Sequence, residues 1–125
     1  MEKKILVIDD EEILTRTFNI LLEKNGYQVY TAKHGDDAQA MAEEEKFDLI
    51  LCDIRMPGMN GVDIMRAIRG NEESSQNRDV PVIFITGYAD ANIESEAQEL
   101  GPLAYIHKPF DNAEILKTIK EALIA

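Results

Sequence analysis

The 125-residue chain lacks the features that mark several specialised classes of protein. Cys52 is its single cysteine, so an internal disulfide is excluded, and nothing resembles a Cys/His zinc pattern. Because Cys52 lies in the apolar run 49–52, we expect a buried small side chain there. No apolar run approaches the roughly 18 residues of a membrane span, and the first run is too short for a signal peptide. We therefore expect a cytoplasmic protein without membrane contact.

Basic residues are also scarce, since 13 Lys and Arg stand against 24 Asp and Glu, for a formal net charge of −11. Surfaces that bind nucleic acid or anionic membranes need clustered Lys and Arg, so direct nucleic-acid binding is not expected. An anionic ligand is still allowed, because a bound divalent cation can reverse the local charge. The length and the 45% apolar content suit one domain with one core over residues 1–125.

Short apolar segments alternate with segments of helical period along the chain. The strand-like segments are 5–8, 29–31, 49–52, 82–86 and 104–106. Their continuous apolar character is typical of strands buried on both faces of a parallel sheet. Between them apolar residues recur at helical spacing, as in Leu14, Phe18 and Leu22, and Asn25-Gly26 indicates a helix end. Five such units predict an α/β fold, a doubly wound parallel sheet with helices on both faces.

Local residues indicate where some of these elements begin and end. The turn residues 35–37 are expected to open the second helix, and Asp111 or Asn112 to cap the fifth. The stretch 71–79 is rich in polar residues, so we expect a polar loop between the third helix and the fourth strand.

Polar and charged side chains stand at the ends of most of the expected strands. They are Asp9 and Asp10 after the first strand, Asp53 after the third, Thr86 at the end of the fourth and Lys108 after the fifth. Ligands of doubly wound sheets bind beyond the carboxyl ends of the strands, so these side chains are expected to converge. Any one of them alone is usually an ordinary turn, strand or surface residue. Their joint placement is what indicates a site.

The chemistry of this set points to a metal and to phosphate. Clustered carboxylates repel one another, so the aspartates indicate a bound cation. Oxygen ligands without His or Cys favour a hard ion, Mg²⁺ or Mn²⁺, over zinc. Such a site suits phosphoryl transfer, with Asp53 as the nucleophile, the metal and Lys108 as counter-charges, and Thr86 as a hydroxyl donor.

These residues carry a resemblance to a known family. The motifs are Asp9-Asp10, the stretch 53–61 with the sequence DIRMPGMNG, Thr86-Gly87 and Lys108-Pro109-Phe110. In order and spacing they are similar to those of bacterial response-regulator receiver domains such as the chemotaxis regulator. The resemblance covers essentially the whole chain. It implies a receiver domain over residues 1–125 with a five-stranded, flavodoxin-like (βα)5 fold and strand order 2-1-3-4-5, serving two-component phosphorelay signalling.

The resemblance also implies how the acceptor and the metal are held. Asp53 is the implied phospho-acceptor. The implied Mg²⁺ ligands are Asp10, Asp53 and the backbone carbonyl of Arg55, with Asp9 acting through water. Arg55 and Tyr88 would flank the exit of the phosphate, and their bulk predicts a fairly long-lived phosphoryl group.

A switch is implied by the same comparison. Thr86 matches the switch hydroxyl, Lys108 the phosphate-binding lysine and Tyr105 the aromatic switch position. Phosphorylation would draw Thr86 toward the phosphate, and the vacated space would let Tyr105 turn inward, changing the face made by the fourth helix, fifth strand and fifth helix. Pro57 and Gly61 match the residues that shape the loop after the acceptor strand, and the peptide before Pro109 is often cis in this family.

The implied partners are a histidine kinase or phosphotransfer protein as donor, and a downstream protein or a fused output domain as target. Both a monomer and a weak dimer through the switch face are compatible with the sequence. A stand-alone receiver and a receiver from a larger regulator fit equally well.

Two other functions compete with a signalling receiver. A Mg²⁺-dependent phosphatase working through an aspartyl phosphate needs a second acid/base Asp where this chain has Arg55, and a cap that 125 residues leave no room for. A binding-only pseudo-receiver lacks the acceptor or metal carboxylates, all of which are present. We therefore expect a module that catalyses only its own phosphorylation and dephosphorylation, and not a turnover enzyme.

Overall fold

The computed structural model of the protein describes residues 2–70, 75–87 and 90–124. Within these ranges strands and helices alternate as the sequence predicts. The elements are β1 Lys4–Ile8, α1 Glu12–Lys24, β2 Gln28–Ala32, α2 Gly35–Glu44, β3 Leu49–Asp53, α3 Gly61–Arg69, β4 Val82–Thr86, α4 Ala91–Glu99, β5 Ala104–His107 and α5 Asn112–Ala122. None of the helices described is long and apolar enough to cross a membrane.

The strands form one parallel sheet in the order β2-β1-β3-β4-β5. This confirms the predicted doubly wound sheet and its strand order. The register places Asp53 beside Ile85 and Thr86 beside His107, so the carboxyl ends of β3, β4 and β5 lie nearly level. Every residue of β3 and β4 is buried, as their uninterrupted apolar sequences predict.

The expected single core is divided by the sheet into two apolar clusters, because successive strand residues point to opposite faces. One core lies under α2, α3 and α4 and includes Ile50, Cys52 and Phe84. The other lies under α1 and α5 and includes Leu51 and Ile83. Cys52 is fully buried, as predicted, and its Sγ lies 3.4 Å from the carbonyl oxygen of Asp53. Burial raises the pKa of this thiol, and the neighbouring carboxylates raise it further.

The helix ends follow the local signals in the sequence. Asn25 caps α1, and Gly26 has φ +90°, a conformation that glycine adopts without strain. Of the two candidate caps of α5, Asp111 is the one used, because its Oδ1 accepts the N–H of Ala113 at 2.8 Å. Gly35 is the first residue of α2.

The stretch 71–79, expected to be a polar loop, is described from residue 75 onward. Inside it Asn77 is only 1% exposed, which its polar surroundings in the sequence did not indicate. Its Oδ1 accepts the N–H of Phe47 at 2.9 Å, and its Nδ2 donates to the carbonyls of Ala42 at 2.7 Å and Glu45 at 2.9 Å. The segment is therefore fastened to the end of α2 and the start of β3.

Candidate functional site

Four strands deliver the predicted side chains to one edge of the sheet. A carboxylate oxygen from each of Asp9, Asp10 and Asp53 lies within 4.8 Å of the other two. Asp9 and Asp53 are buried and Asp10 is exposed, so the cluster opens to solvent on one side. The opening is a cleft of about 350 Å³ lined by Asp10, Glu11, Asp53, Arg55, Pro57 and Lys108, among others.

The pKa of the Asp9 carboxyl group is raised by its place in this cluster. Burial raises its pKa to about 7, although the backbone N–H of Glu11, which Asp9 accepts at 2.9 Å, opposes the rise. The negative charge of Asp53 raises this pKa further, and Lys108 lowers it. Three close oxygen ligands, one of which is costly to ionise because it is buried beside another carboxylate, fit a hard divalent cation.

The stability of the protein is expected to depend on pH through Asp9. A carboxyl group whose folded-state pKa lies above its ordinary 3.8 stabilises the fold fully below about pH 4, and that stabilisation is lost as the pH rises through about 7. We expect Asp9→Asn, measured by urea unfolding in EDTA, to raise the free energy of unfolding by about 2 kcal/mol at pH 8. That is roughly half of what the full shift corresponds to, because water screens the cleft mouth.

The gain from Asp9→Asn is expected to be smaller at pH 5, where the wild-type carboxyl is mostly protonated in the folded protein. Equal gains at pH 5 and pH 8, or no gain at pH 8, would contradict the electrostatic interpretation.

Lys108 supplies the positive charge of the site. Its backbone N–H donates to the carbonyl of Thr86 at 2.8 Å, which extends the β4–β5 pairing, and the Lys108–Pro109 peptide bond is cis. Its Nζ lies 2.9 Å from Glu11 Oε1, 3.3 Å from Asp53 Oδ2 and 3.7 Å from Asp9 Oδ2. Burial alone lowers the pKa of this ammonium, but the carboxylates more than offset it and the pKa lies above its ordinary value. The ammonium is therefore charged at neutral pH.

Thr86 and Tyr105 line one cavity beside the cleft. Thr86 ends β4 and is fully buried, whereas Tyr105 in β5 is half-buried. The cavity measures about 250 Å³ and also contacts Ile54, Met56 and Ile93. The Tyr105 ring packs against Phe84, with centroids 6.4 Å apart, and against His107 at 5.4 Å. The predicted hydroxyl and aromatic positions are therefore neighbours across an open space.

The loop after β3 requires glycine at position 61. A Cβ on Gly61 would overlap the carbonyl oxygen of Asp53 and lie 3.0 Å from Cys52 Sγ. The N–H of Gly61 donates to Ile54 O at 2.7 Å, so the loop folds tightly against the strand end. Asp53 Oδ1 accepts the backbone N–H of Arg55 at 3.2 Å. The main chain therefore orients the carboxylate, and a side chain at position 61 would displace it.

One contact in the candidate site was not predicted from the sequence, and one expected site residue lies outside the described residues. Arg55 and Tyr88 were expected to flank the phosphate exit. Arg55 does line the cleft, and Tyr88 lies outside the described residues. The contact of Glu11 with Lys108 joins residues 97 positions apart and was not predicted. A sequence signal did exist, because Glu11 stands at the position just before α1, where Asp, Asn, Ser and Thr are the preferred capping residues.

Comparison with known proteins agrees with this geometry. The chain matches the family model of the response regulator receiver domain over residues 5–120. It is 34% identical over 123 residues to sporulation initiation phosphotransferase F of Bacillus subtilis, covering 98% of this chain and 95% of that protein. The structure is similar to the chemotaxis protein CheY4 of Vibrio cholerae, with a TM-score of 0.87, 30% identity, and coverage of 98% of this chain and 100% of that one.

A further similar structure bears on the metal. The receiver domain of the sensor histidine kinase PA1611 from Pseudomonas aeruginosa PAO1, which has a magnesium ion coordinated in its active-site cleft, is 28% identical. Its TM-score is 0.82, and the match covers 97% of each chain. The family match, the full-length relative and the fold agree, and the chain belongs to the response regulator receiver domain family, the signalling modules of two-component systems.

Proposed function

We propose that this receiver domain accepts a phosphoryl group on Asp53 in a Mg²⁺-dependent reaction and signals through the surface of α4, β5 and α5. The observation that carries the proposal is the contact of a buried Asp53 carboxylate with the Lys108 ammonium at 3.3 Å, inside a cluster of three aspartates. A nucleophile, a counter-charge and a cation site then share one open cleft.

The metal is assigned from the donor set. Asp10, Asp53 and the backbone carbonyl of Arg55 would hold Mg²⁺, with Asp9 acting through water, and Mn²⁺ would be accepted by the same oxygens. When bound, the ion neutralises charge on the carboxylates and on the phosphoryl oxygens. The raised pKa of Asp9 supports this assignment, because a bound cation would offset the burial of the charged carboxylate, which is the main cause of the shift, and also its repulsion by Asp53.

The transfer step needs little from the protein beyond a nucleophile and positioning. A carboxylate oxygen of Asp53 forms a bond to phosphorus as the bond from phosphorus to the imidazole nitrogen of the donor breaks. The electron pair of the broken bond stays on that nitrogen, which then takes a proton. Lys108 and the Thr86 hydroxyl would bind the phosphoryl oxygens and hold the new acyl phosphate in place.

The proposed output is a change on the surface of α4, β5 and α5. The cavity between Thr86 and Tyr105 gives the tyrosine ring room to turn inward once Thr86 has moved toward the phosphate. A downstream protein or a fused output domain would recognise the altered face, which would also be the interface of any weak dimer. The acidic net charge argues against direct contact with nucleic acid, and a cytoplasmic location suits a kinase partner.

We propose that the phosphodonor, a histidine kinase or phosphotransfer protein, docks on α1. Ile13 is 83% exposed and Ile20 is 61% exposed, and they lie two helical turns apart on one face. Ile13 follows Glu11 closely, and Glu11 lines the cleft. The position of these two exposed apolar side chains on one face of the helix that begins beside the cleft is what favours α1 as the surface for the donor.

The substitution Ile13→Ser is therefore expected to slow phosphoryl transfer from the protein donor by about tenfold, as for an apolar residue at the centre of an interface. Phosphorylation by acetyl phosphate should not change, because that donor makes no contact with α1. Ile124→Ser is the matched control. Ile124 is 78% exposed and follows the last turn of α5, at the amino ends of the strands and away from the cleft. Equal slowing with both donors, or equal slowing by the control, would contradict docking on α1.

The proposed function is tested with acetyl phosphate and beryllofluoride. With Mg²⁺ we expect one phosphoryl group per chain by intact mass spectrometry, and no modification in EDTA. Beryllofluoride should shift the NMR signals of the cleft and of the surface of α4, β5 and α5. No Mg²⁺-dependent modification would contradict the proposal, and repeated turnover of an added phosphomonoester would favour a hydrolase instead.

A further inference from the structure

Glu11 is the one glutamate whose carboxylate reaches the ammonium of Lys108 in the part of the chain that the structure describes. Its Oε1 lies 2.9 Å from Nζ, closer than Asp53 Oδ2 at 3.3 Å and Asp9 Oδ2 at 3.7 Å. The nearest carboxylate to the proposed phosphate-binding lysine is therefore not the acceptor. Phosphoryl oxygens that approach Lys108 have to replace Glu11 or share the ammonium with it.

Helix capping does not explain this glutamate. Glu11 precedes the first residue of α1, but its side chain makes no capping hydrogen bond. Only its backbone takes part locally, because its carbonyl accepts the N–H groups of Leu14 and Thr15 and its own N–H donates to Asp9. The Glu11 side chain therefore makes no hydrogen bond to the start of α1 and instead reaches across the cleft to Lys108.

Exposure distinguishes Glu11 from the other carboxylates that share Lys108. The side chains of Asp9 and Asp53 are 3% and 4% exposed, so neither can leave its place without opening the fold. The side chain of Glu11 is 60% exposed, and it can turn into water once the ammonium has another partner. Of these three carboxylates, only that of Glu11 can leave Lys108 and be replaced by another anionic group without opening the fold.

We propose that Glu11 is a positioning residue that holds Lys108 and competes with the phosphoryl group for it. This inference rests on the proposed phosphorylation of Asp53. In the unphosphorylated protein Glu11 keeps the ammonium at the cleft mouth, and its negative charge disfavours free anionic ligands. On phosphorylation the ammonium exchanges Glu11 for a phosphoryl oxygen. The cost of that exchange sets how readily phosphate analogues and small donors occupy the cleft.

Two substitutions separate the contact from the charge. Glu11→Gln keeps the length of the side chain and removes its charge. Glu11→Asp keeps the charge but is one methylene shorter, and aspartate is a better residue before a helix, so the fold is retained. Glu12→Gln is the matched control, because it removes the same charge from the next residue, whose carboxylate pairs with Arg16 at 3.6 Å and Lys33 at 3.9 Å.

The main readout is the equilibrium affinity for beryllofluoride, followed by NMR at saturating Mg²⁺ after the Mg²⁺ affinity of each variant has been measured. Removing one partly screened charge near the bound anion is expected to tighten binding by about three- to tenfold in Glu11→Gln. Glu11→Asp should lie between Glu11→Gln and the wild type, and Glu12→Gln should stay within about twofold of the wild type. With acetyl phosphate, Glu11→Gln should lower KM and leave the maximal rate nearly unchanged.

Unchanged or weaker beryllofluoride binding in Glu11→Gln would overturn the inference, and so would equal tightening in Glu12→Gln, which would show a general effect of net charge. The response of the wild type shows whether such a result contradicts only the role of Glu11 or the proposed function as well. A wild type that responds to beryllofluoride while Glu11→Gln matches it contradicts only the role of Glu11. A wild type that does not respond at all contradicts both.

Discussion

Asp53→Asn is expected to abolish Mg²⁺-dependent phosphorylation, with a rate at least about 100-fold below that of the wild type, because a neutral amide is a poor nucleophile for phosphorus. The substitution keeps the shape of the side chain and the oxygen that accepts the N–H of Arg55 at 3.2 Å. We therefore expect the free energy of unfolding to stay within about 1 kcal/mol of the wild type. Intact mass spectrometry after incubation with acetyl phosphate and Mg²⁺ measures the first effect, and urea unfolding the second.

The control for this experiment makes the same chemical change elsewhere. Asp63 lies in α3, its side chain is 49% exposed, and it pairs with Arg66 at 3.5 Å. Asp63→Asn should be phosphorylated like the wild type. If Asp53→Asn still gains a phosphoryl group that requires Mg²⁺, then Asp53 is not the acceptor, and peptide mapping would identify the residue that is.

Asn77→Ala is expected to lower the free energy of unfolding by about 3 kcal/mol, the sum of modest penalties from buried backbone groups left without partners. The side chain serves the N–H of Phe47 and the carbonyls of Ala42 and Glu45, and it is 1% exposed, so water cannot replace it without local opening. Chemical denaturation at constant pH measures the loss. Phosphorylation by acetyl phosphate should persist, because Asn77 lies before β4, at the opposite edge of the sheet from Asp53.

Two variants sharpen the interpretation of Asn77. Asn77→Asp keeps the acceptor for Phe47 but cannot donate, so it should also destabilise the protein. Gln76→Ala is the matched control, since Gln76 is exposed and also donates to the carbonyl of Ala42, at 3.2 Å. Its loss is expected to cost less than about 1 kcal/mol because water reaches the freed groups. A similar cost for Gln76→Ala and Asn77→Ala would contradict the role given to burial.

The residues at the carboxyl ends of the strands were the part of the candidate site that the sequence predicted best. Continuous apolar runs identify buried parallel strands, and the carboxyl ends of such strands meet at one edge, so the amino-acid pattern alone brings Asp53, Thr86 and Lys108 together. The same reasoning predicted the order of elements and the sheet. It works because both features depend on local periodicity and on a general rule of topology.

Glu11 and Asn77 could not be predicted in the same way, because their roles depend on contacts with distant parts of the chain. Glu11 meets a lysine 97 positions away, and Asn77 meets backbone groups 30 to 35 positions away. Both residues lie in stretches whose polar composition suggests solvent exposure. Only the packed structure shows that one side chain is buried and that the other reaches across the cleft.

The buried thiol of Cys52 allows a direct kinetic measurement of how often β3, the strand with the proposed acceptor Asp53, opens. Cys52 precedes Asp53, is fully buried in β3, and its raised pKa makes it unreactive in the folded protein. As the single cysteine of the chain, it is modified by a thiol reagent only when β3 opens. The labelling rate therefore reports the opening of the strand that carries the proposed acceptor, and no engineered cysteine is needed.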